Sequence, residues 1–136
     1  AHATPQPPIS WASADGIRLS VADEKCAVLT DPDFVDNDLV EVSLSVDVAN
    51  SSPRPVSLHR DSLRLIAPDG VAPRPSTWGA ATPIVVAPGK ATRVQVSFVN
   101  RGSLRCDAPL DLNLKDALTS GDASLDPGTI RLLAQQ

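Results

Sequence analysis

The run Val40-Glu41-Val42-Ser43-Leu44-Ser45-Val46-Asp47-Val48 constrains this chain most. Five apolar side chains take alternate positions and four polar ones fill the gaps. Successive side chains of a β-strand point to opposite faces, so a period of two builds a strand with one dry face and one wet face. A helix would spread the same five residues around its circumference. Such a strand belongs in an antiparallel sheet buried on one side only. Asn50-Ser51-Ser52-Pro53 closes the run with residues that favour turns.

The pattern recurs along the chain. Ile17, Leu19 and Val21 alternate with Arg18 and Ser20, and Leu63 and Leu65 with Ser62 and Arg64. Val94, Val96 and Phe98 alternate with Arg93, Gln95 and Ser97. Leu110, Leu112 and Leu114 do so with Asp111, Asn113 and Lys115. Ile130 and Leu132 flank Arg131, and Val56–Leu58 and Ile84–Val86 are shorter strands of the same kind. The 13 prolines fall mostly between these runs, where a missing N–H costs nothing. No long segment repeats its apolar residues at the helical spacing. The pattern predicts an all-β, Ig-like antiparallel β-sandwich of about seven or eight strands with Greek-key wiring. A small closed β-barrel is the alternative. The chain has no Tyr, which removes the tyrosine corner of antibody domains.

Length and charge narrow the function. A chain of 136 residues makes one domain. The opening Ala1–Pro8 is rich in proline and small residues, so residues 1–15 read as a flexible tether and 16–136 as the single domain. Trp11 is expected to cap the core. A secreted or lipid-anchored precursor cut upstream of residue 1 would leave such a start. The net charge is −4, which opposes a phosphate-binding surface and hence nucleic acid as a partner. No apolar run approaches the ~18 residues of a membrane-spanning helix.

Chemistry has few footholds. Cys26 and Cys106 are the two cysteines, and neither lies in a Cys-x-x-Cys pair. They read as a disulfide made in an oxidising compartment, periplasmic, outer-membrane-anchored or secreted. His2 lies in the tether, and His59 reads as an outward-facing strand residue. No Gly-x-Ser-x-Gly elbow places a nucleophile beside it. The chain therefore reads as non-enzymatic. Asp31, Asp33, Asp36 and Asp38 crowd one connection and offer oxygen ligands of the kind calcium takes, calcium being the one cofactor the sequence leaves open. Their spacing fails the EF-hand pattern, and a solvated acidic loop is the alternative. The calcium reading expects a melting midpoint several degrees higher in ~10 mM calcium than in EDTA, as a ~0.1 mM site requires by mass action. A flat result retires it. The segment Val71–Gly79 holds Arg74, Pro75 and Trp78, and stiff loops with Arg and Trp often anchor protein contacts. Trp78 folded back over an open sheet edge is the competing reading.

These features also follow a familiar order. The strand Val40–Val48 runs into Asn50-Ser51-Ser52, then Leu63-x-Leu65 with Pro68-Asp69-Gly70, then Pro88-Gly89-Lys90, then Val94-x-Val96-x-Phe98. The order resembles the Ig-like extracytoplasmic domains of bacterial lipoproteins and secreted antigens, many of unknown function. The resemblance implies a binding or structural role in the bacterial cell envelope through contact with a protein partner. It carries no catalytic residue over. The Arg-Pro and Trp of residues 74–78 are similar to features of the chagasin-type protease inhibitors, so inhibition is an alternative. A calcium-stabilised adhesion or matrix module is another.

Overall fold

The structure is a computed structural model and describes residues 9–13, 16–29, 39–70, 72, 75, 82–101, 106, 110–121 and 123–132. In chain order the strands are β1 (Ile9–Ala12), β2 (Ile17–Leu29), β3 (Leu39–Asn50), β4 (Val56–Leu58) and β5 (Arg64–Ile66). There follow β6 (Ile84–Val86), β7 (Lys90–Arg101), β8 (Leu110–Asn113), β9 (Leu118–Ser120), β10 (Ala123–Ser124) and β11 (Thr129–Leu132). All pairing is antiparallel. No sheet closes on itself, so the barrel alternative is set aside and the all-β sandwich stands.

The first layer runs β1-β2-β3-β7. The predicted strand Val40–Val48 forms the middle of β3, paired along its whole length with β7 from Leu39↔Arg101 to Asn50↔Lys90. Val40, Val42, Leu44, Val46 and Val48 are all buried, as the alternation requires. Phe98, fully buried on β7, sits opposite Val42.

The second layer consists of two short sheets, β10-β9-β4-β6 and β11-β8-β5. Their registers show that they are halves of one sheet. Leu58 pairs with Leu118, and the His59 N–H reaches the Ala117 carbonyl at 2.7 Å. Beyond a 3-10 turn at Arg60–Ser62, Arg64 pairs with Asn113 with the register shifted by one residue. The neighbouring strand breaks alongside: the Leu114 N–H bonds the Gly128 carbonyl at 2.8 Å, and the Leu125 N–H bonds the Leu118 carbonyl at 3.0 Å. Three adjacent strands are thus interrupted at the same level. The breaks account for β9 and β10, and β1 is the third strand by which the eleven among the described residues exceed the eight read from the sequence.

The break has a purpose that can be read from parity. Val56 and Leu58 are buried at even positions, whereas Leu63, Leu65 and Ala67 are buried at odd ones. An unbroken strand would have turned the second set to solvent. The 3-10 turn, which buries none of its own residues, absorbs the change of phase.

One boundary differs from expectation. Within the stretch read as tether, Ile9–Ala12 pairs with Val21–Arg18 of β2. Trp11 packs half-buried against the core, the capping role expected of it. Pro8 precedes β1 and has no N–H to offer a neighbouring strand.

Candidate functional site

The site is best built from β2, because this strand carries one half of the disulfide and ends in exposed apolar residues. Its first half is regular: Ile17, Leu19 and Val21 are buried and pair with Asn50, Val48 and Val46. A bulge then intervenes. Ala22 pairs with Ser45 but Lys25 pairs with Ser43, so Asp23 and Glu24 together oppose Leu44. Asp23 takes the left-handed conformation, φ 56°, which Asp tolerates better than most residues. The extra residue reverses the phase of everything after it. Cys26 therefore lies opposite the buried Val42 and faces inward. There it forms the disulfide with Cys106, S–S 2.05 Å and Cα–Cα 5.5 Å.

The bulge is held from across the sheet. The Arg93 guanidinium on β7 donates to the Asp23 carboxylate, and its Nε lies 3.7 Å from Asp47 on β3. Arg93 thus spans β3 on the outer face. Ser45, on that otherwise wet face, is only 2% exposed. Arg93 and Asp23 are well exposed, at 56% and 61%, so water and salt screen their pair. Arg93→Ala is expected to cost less than ~1 kcal/mol. A denaturant titration that moved by more would show that the bulge depends on this ion pair.

Past the bulge, the described strand that pairs with β2 is β3, and β1 pairs with it as far as Val21. Among the described residues, Val28 and Leu29 are exposed apolar neighbours, at 52% and 44%. At the opposite edge of the layer, β7, Pro75 bridges Phe98.

The predicted site residues divide as follows. Cys26 and Cys106 are joined, and among the described residues there is no free cysteine. Pro75 sits at the β7 edge, half-buried. Arg74, Trp78, Asp31, Asp33, Asp36 and Asp38 lie outside the described residues. His59 does not face outward from a strand. It follows β4, half-buried, with Nε2 2.8 Å from the Thr119 hydroxyl. A cleft of about 280 Å³ lies at the β1–β2 turn, where Ser13, Arg18, Ala49 and Ser51 contribute to its walls. On the outer face of the second layer Arg131 pairs with Asp111, whose hydrogen bond and negative charge raise the guanidinium pKa.

Sequence reasoning missed the edge at Val28 and Leu29. The signal was present: the alternating apolar residues are odd through Val21, whereas Cys26 and Val28 are even. A change of parity inside a strand marks a bulge.

No protein family and no curated protein matches the sequence. Among solved structures, the fold is similar to a structural-genomics target named SoR45, with TM-score 0.53 and 12% identity over 85% of this chain and 84% of that one. It is also similar to the yjhA protein from Bacillus subtilis, with TM-score 0.50 and 12% identity over 77% of each chain. At that identity the likeness concerns the fold alone.

Proposed function

We propose that the protein is a non-catalytic binding or structural module that acts by contact with another protein in the bacterial cell envelope, outside the cytoplasm. The observation that carries this reading is the end of β2, where Ala27, Val28 and Leu29 are exposed in a row and no described strand other than β3 pairs with them. Soluble domains usually blunt such edges, and where they do not, a partner commonly covers them. The Cys26–Cys106 bond supports an oxidising compartment. No helix among the described residues is long and apolar enough to cross a membrane, which accords with a module presented to a partner. The Ig-like membership and the lipid anchor suggested by the sequence belong to the same proposal.

The test is cross-linking of the oxidised protein in an intact envelope fraction. One dominant adduct that vanishes when the protein is reduced and unfolded is expected. Adducts no different from those of the unfolded chain would overturn the reading.

A further inference from the structure

We infer that the cleft at the β1–β2 turn binds a compact carboxylate through Arg18. This cleft lies at the start of β2, away from the exposed Ala27–Leu29 on which the contact reading rests, and it stands whether or not that reading does.

The cleft follows from the register of the first layer. Ala12, Arg18, Ala49 and Ala91 are aligned across β1, β2, β3 and β7. Ile17 and Leu19 are buried, so Arg18 and the alanines stand on the outer face. A long side chain between single methyl groups has empty space beside it, and the cleft of about 280 Å³ opens there. Ala12 and Ala49 line it next to Arg18, and Ser51 lies at its end. That end is shaped by a close approach. The Ser51 N–H bonds the Gly16 carbonyl at 2.9 Å, and a Cβ on Gly16 would meet Ser51 at 3.4 Å. Gly16 also has φ 93°, a conformation that favours glycine.

Charge points the same way. Arg18 is exposed and makes no ion pair or hydrogen bond through its side chain among the described residues. Asp47, one row along and opposite Ser20, lies 3.7 Å from Arg93 instead. Two more cations belong to the connections that meet at this end. Lys90 is paired in register with Asn50, and the Arg54 carbonyl accepts from the Asn50 amide at 2.7 Å. Neither makes an ion pair among the described residues. An acidic chain of net charge −4 thus gathers Arg18, Arg54 and Lys90 here. The planar guanidinium fork matches the two oxygens of a carboxylate. The alanine walls suit a methyl-sized body beside it, and the volume admits only a small molecule or the end of a chain. A peptide C-terminus ending in alanine and a short free acid share this chemistry.

The experiment titrates the oxidised full-length protein with acetyl-Ala-Ala, its C-terminal amide, butyrate and inorganic phosphate, read by amide chemical shifts. Acetyl-Ala-Ala is expected to shift amides within residues 12–18 and 49–51, and its amide to leave them unmoved. Weaker binding of butyrate assigns the peptide end and equal binding the free acid, and both uphold a carboxylate site. Arg18→Gln, its fold checked by melting, is expected to weaken binding at least tenfold. Lys115→Gln, the same charge change on the second layer, is expected to leave it unchanged. Asp15→Asn removes a carboxylate next to Gly16 in sequence and is expected not to weaken it. Wild-type binding by Arg18→Gln, weakening by Asp15→Asn or by Lys115→Gln, equal binding of the amide, tighter binding of phosphate, shifts confined elsewhere, or no binding by either carboxylate would overturn the inference.

Discussion

Cys26→Ser/Cys106→Ser is expected to cost ~4–5 kcal/mol on the chain-entropy account of cross-links. The bond spans 80 residues, so its loss frees a long loop in the unfolded chain. It also acts where the architecture is most exposed to failure. β7 belongs to the first layer and β8 to the second, and Cys106 lies in the connection that crosses between them. The disulfide fastens that crossing to the inner face of β2, just past its bulge. Against a total stability of ~5–15 kcal/mol for a domain, the loss is large. For a chain of this size it corresponds to a fall in melting midpoint of roughly 15–20 °C. Melts with and without reductant check it, and the reduced wild-type protein is expected to match the double variant. A midpoint unmoved by reduction would show that packing alone secures the crossing.

Asn50→Ala is expected to cost ~3–5 kcal/mol although it removes only one small polar side chain. Asn50 ends β3 and is 1% exposed. Its Nδ2 donates to the Val86 carbonyl at 2.9 Å and to the Arg54 carbonyl at 2.7 Å. Its Oδ1 accepts from the Ser52 N–H at 3.0 Å and from the Ser52 hydroxyl at 2.6 Å. The amide therefore has every bond it can make in a buried site, and it ties the first layer to β6 of the second. Truncation strands the Val86 carbonyl and the Ser52 N–H, each at ~1–3 kcal/mol if water cannot reach it, while the Arg54 carbonyl keeps the Ser52 hydroxyl 3.0 Å away. Ser52→Ala is the control. It leaves the Ser52 N–H bond to Oδ1 in place and is expected to cost only ~1 kcal/mol. Equal losses in the two variants, measured by denaturant titration, would show that the turn and not the interlayer bond carries the energy.

How far the sequence discloses this molecule depends on what each residue's role requires. β3 is legible because its dry face alternates without interruption. β7 is legible for the same reason, and Phe98 lands in the core as its phase demands. β1 was hidden by the prolines that precede it, since a Pro-rich start resembles a tether whether or not the residues after it pair. The breaks in the second layer were legible only in hindsight. Val56–Leu58 and Leu63–Leu65 differ in parity, but parity says that a strand breaks and not that its neighbours break beside it. Asn50 read as turn chemistry, and it is also the interlayer bond, because residue type does not reveal which carbonyl lies 36 positions away. The disulfide pairing followed from there being only two cysteines. Cys26 and Cys106 are also the predicted site residues that the structure brings together. The acidic and Arg-Trp segments remain readings of composition.

The bulge in β2 makes the cross-link depend on a count. Opposed residues of an antiparallel pair share a face, and Cys26 faces inward because it lies opposite the buried Val42. Straightening β2 at its present length would set Lys25 opposite Val42 and turn Cys26 to water, away from Cys106. Deleting Glu24 alone removes the extra residue and leaves Cys26 opposite Val42, whereas deleting a second residue would turn it outward. A shortening of this strand by one residue is therefore tolerated and one by two is penalised. A relative with a straight strand of the present length must either forgo the bond or carry its cysteine one position along.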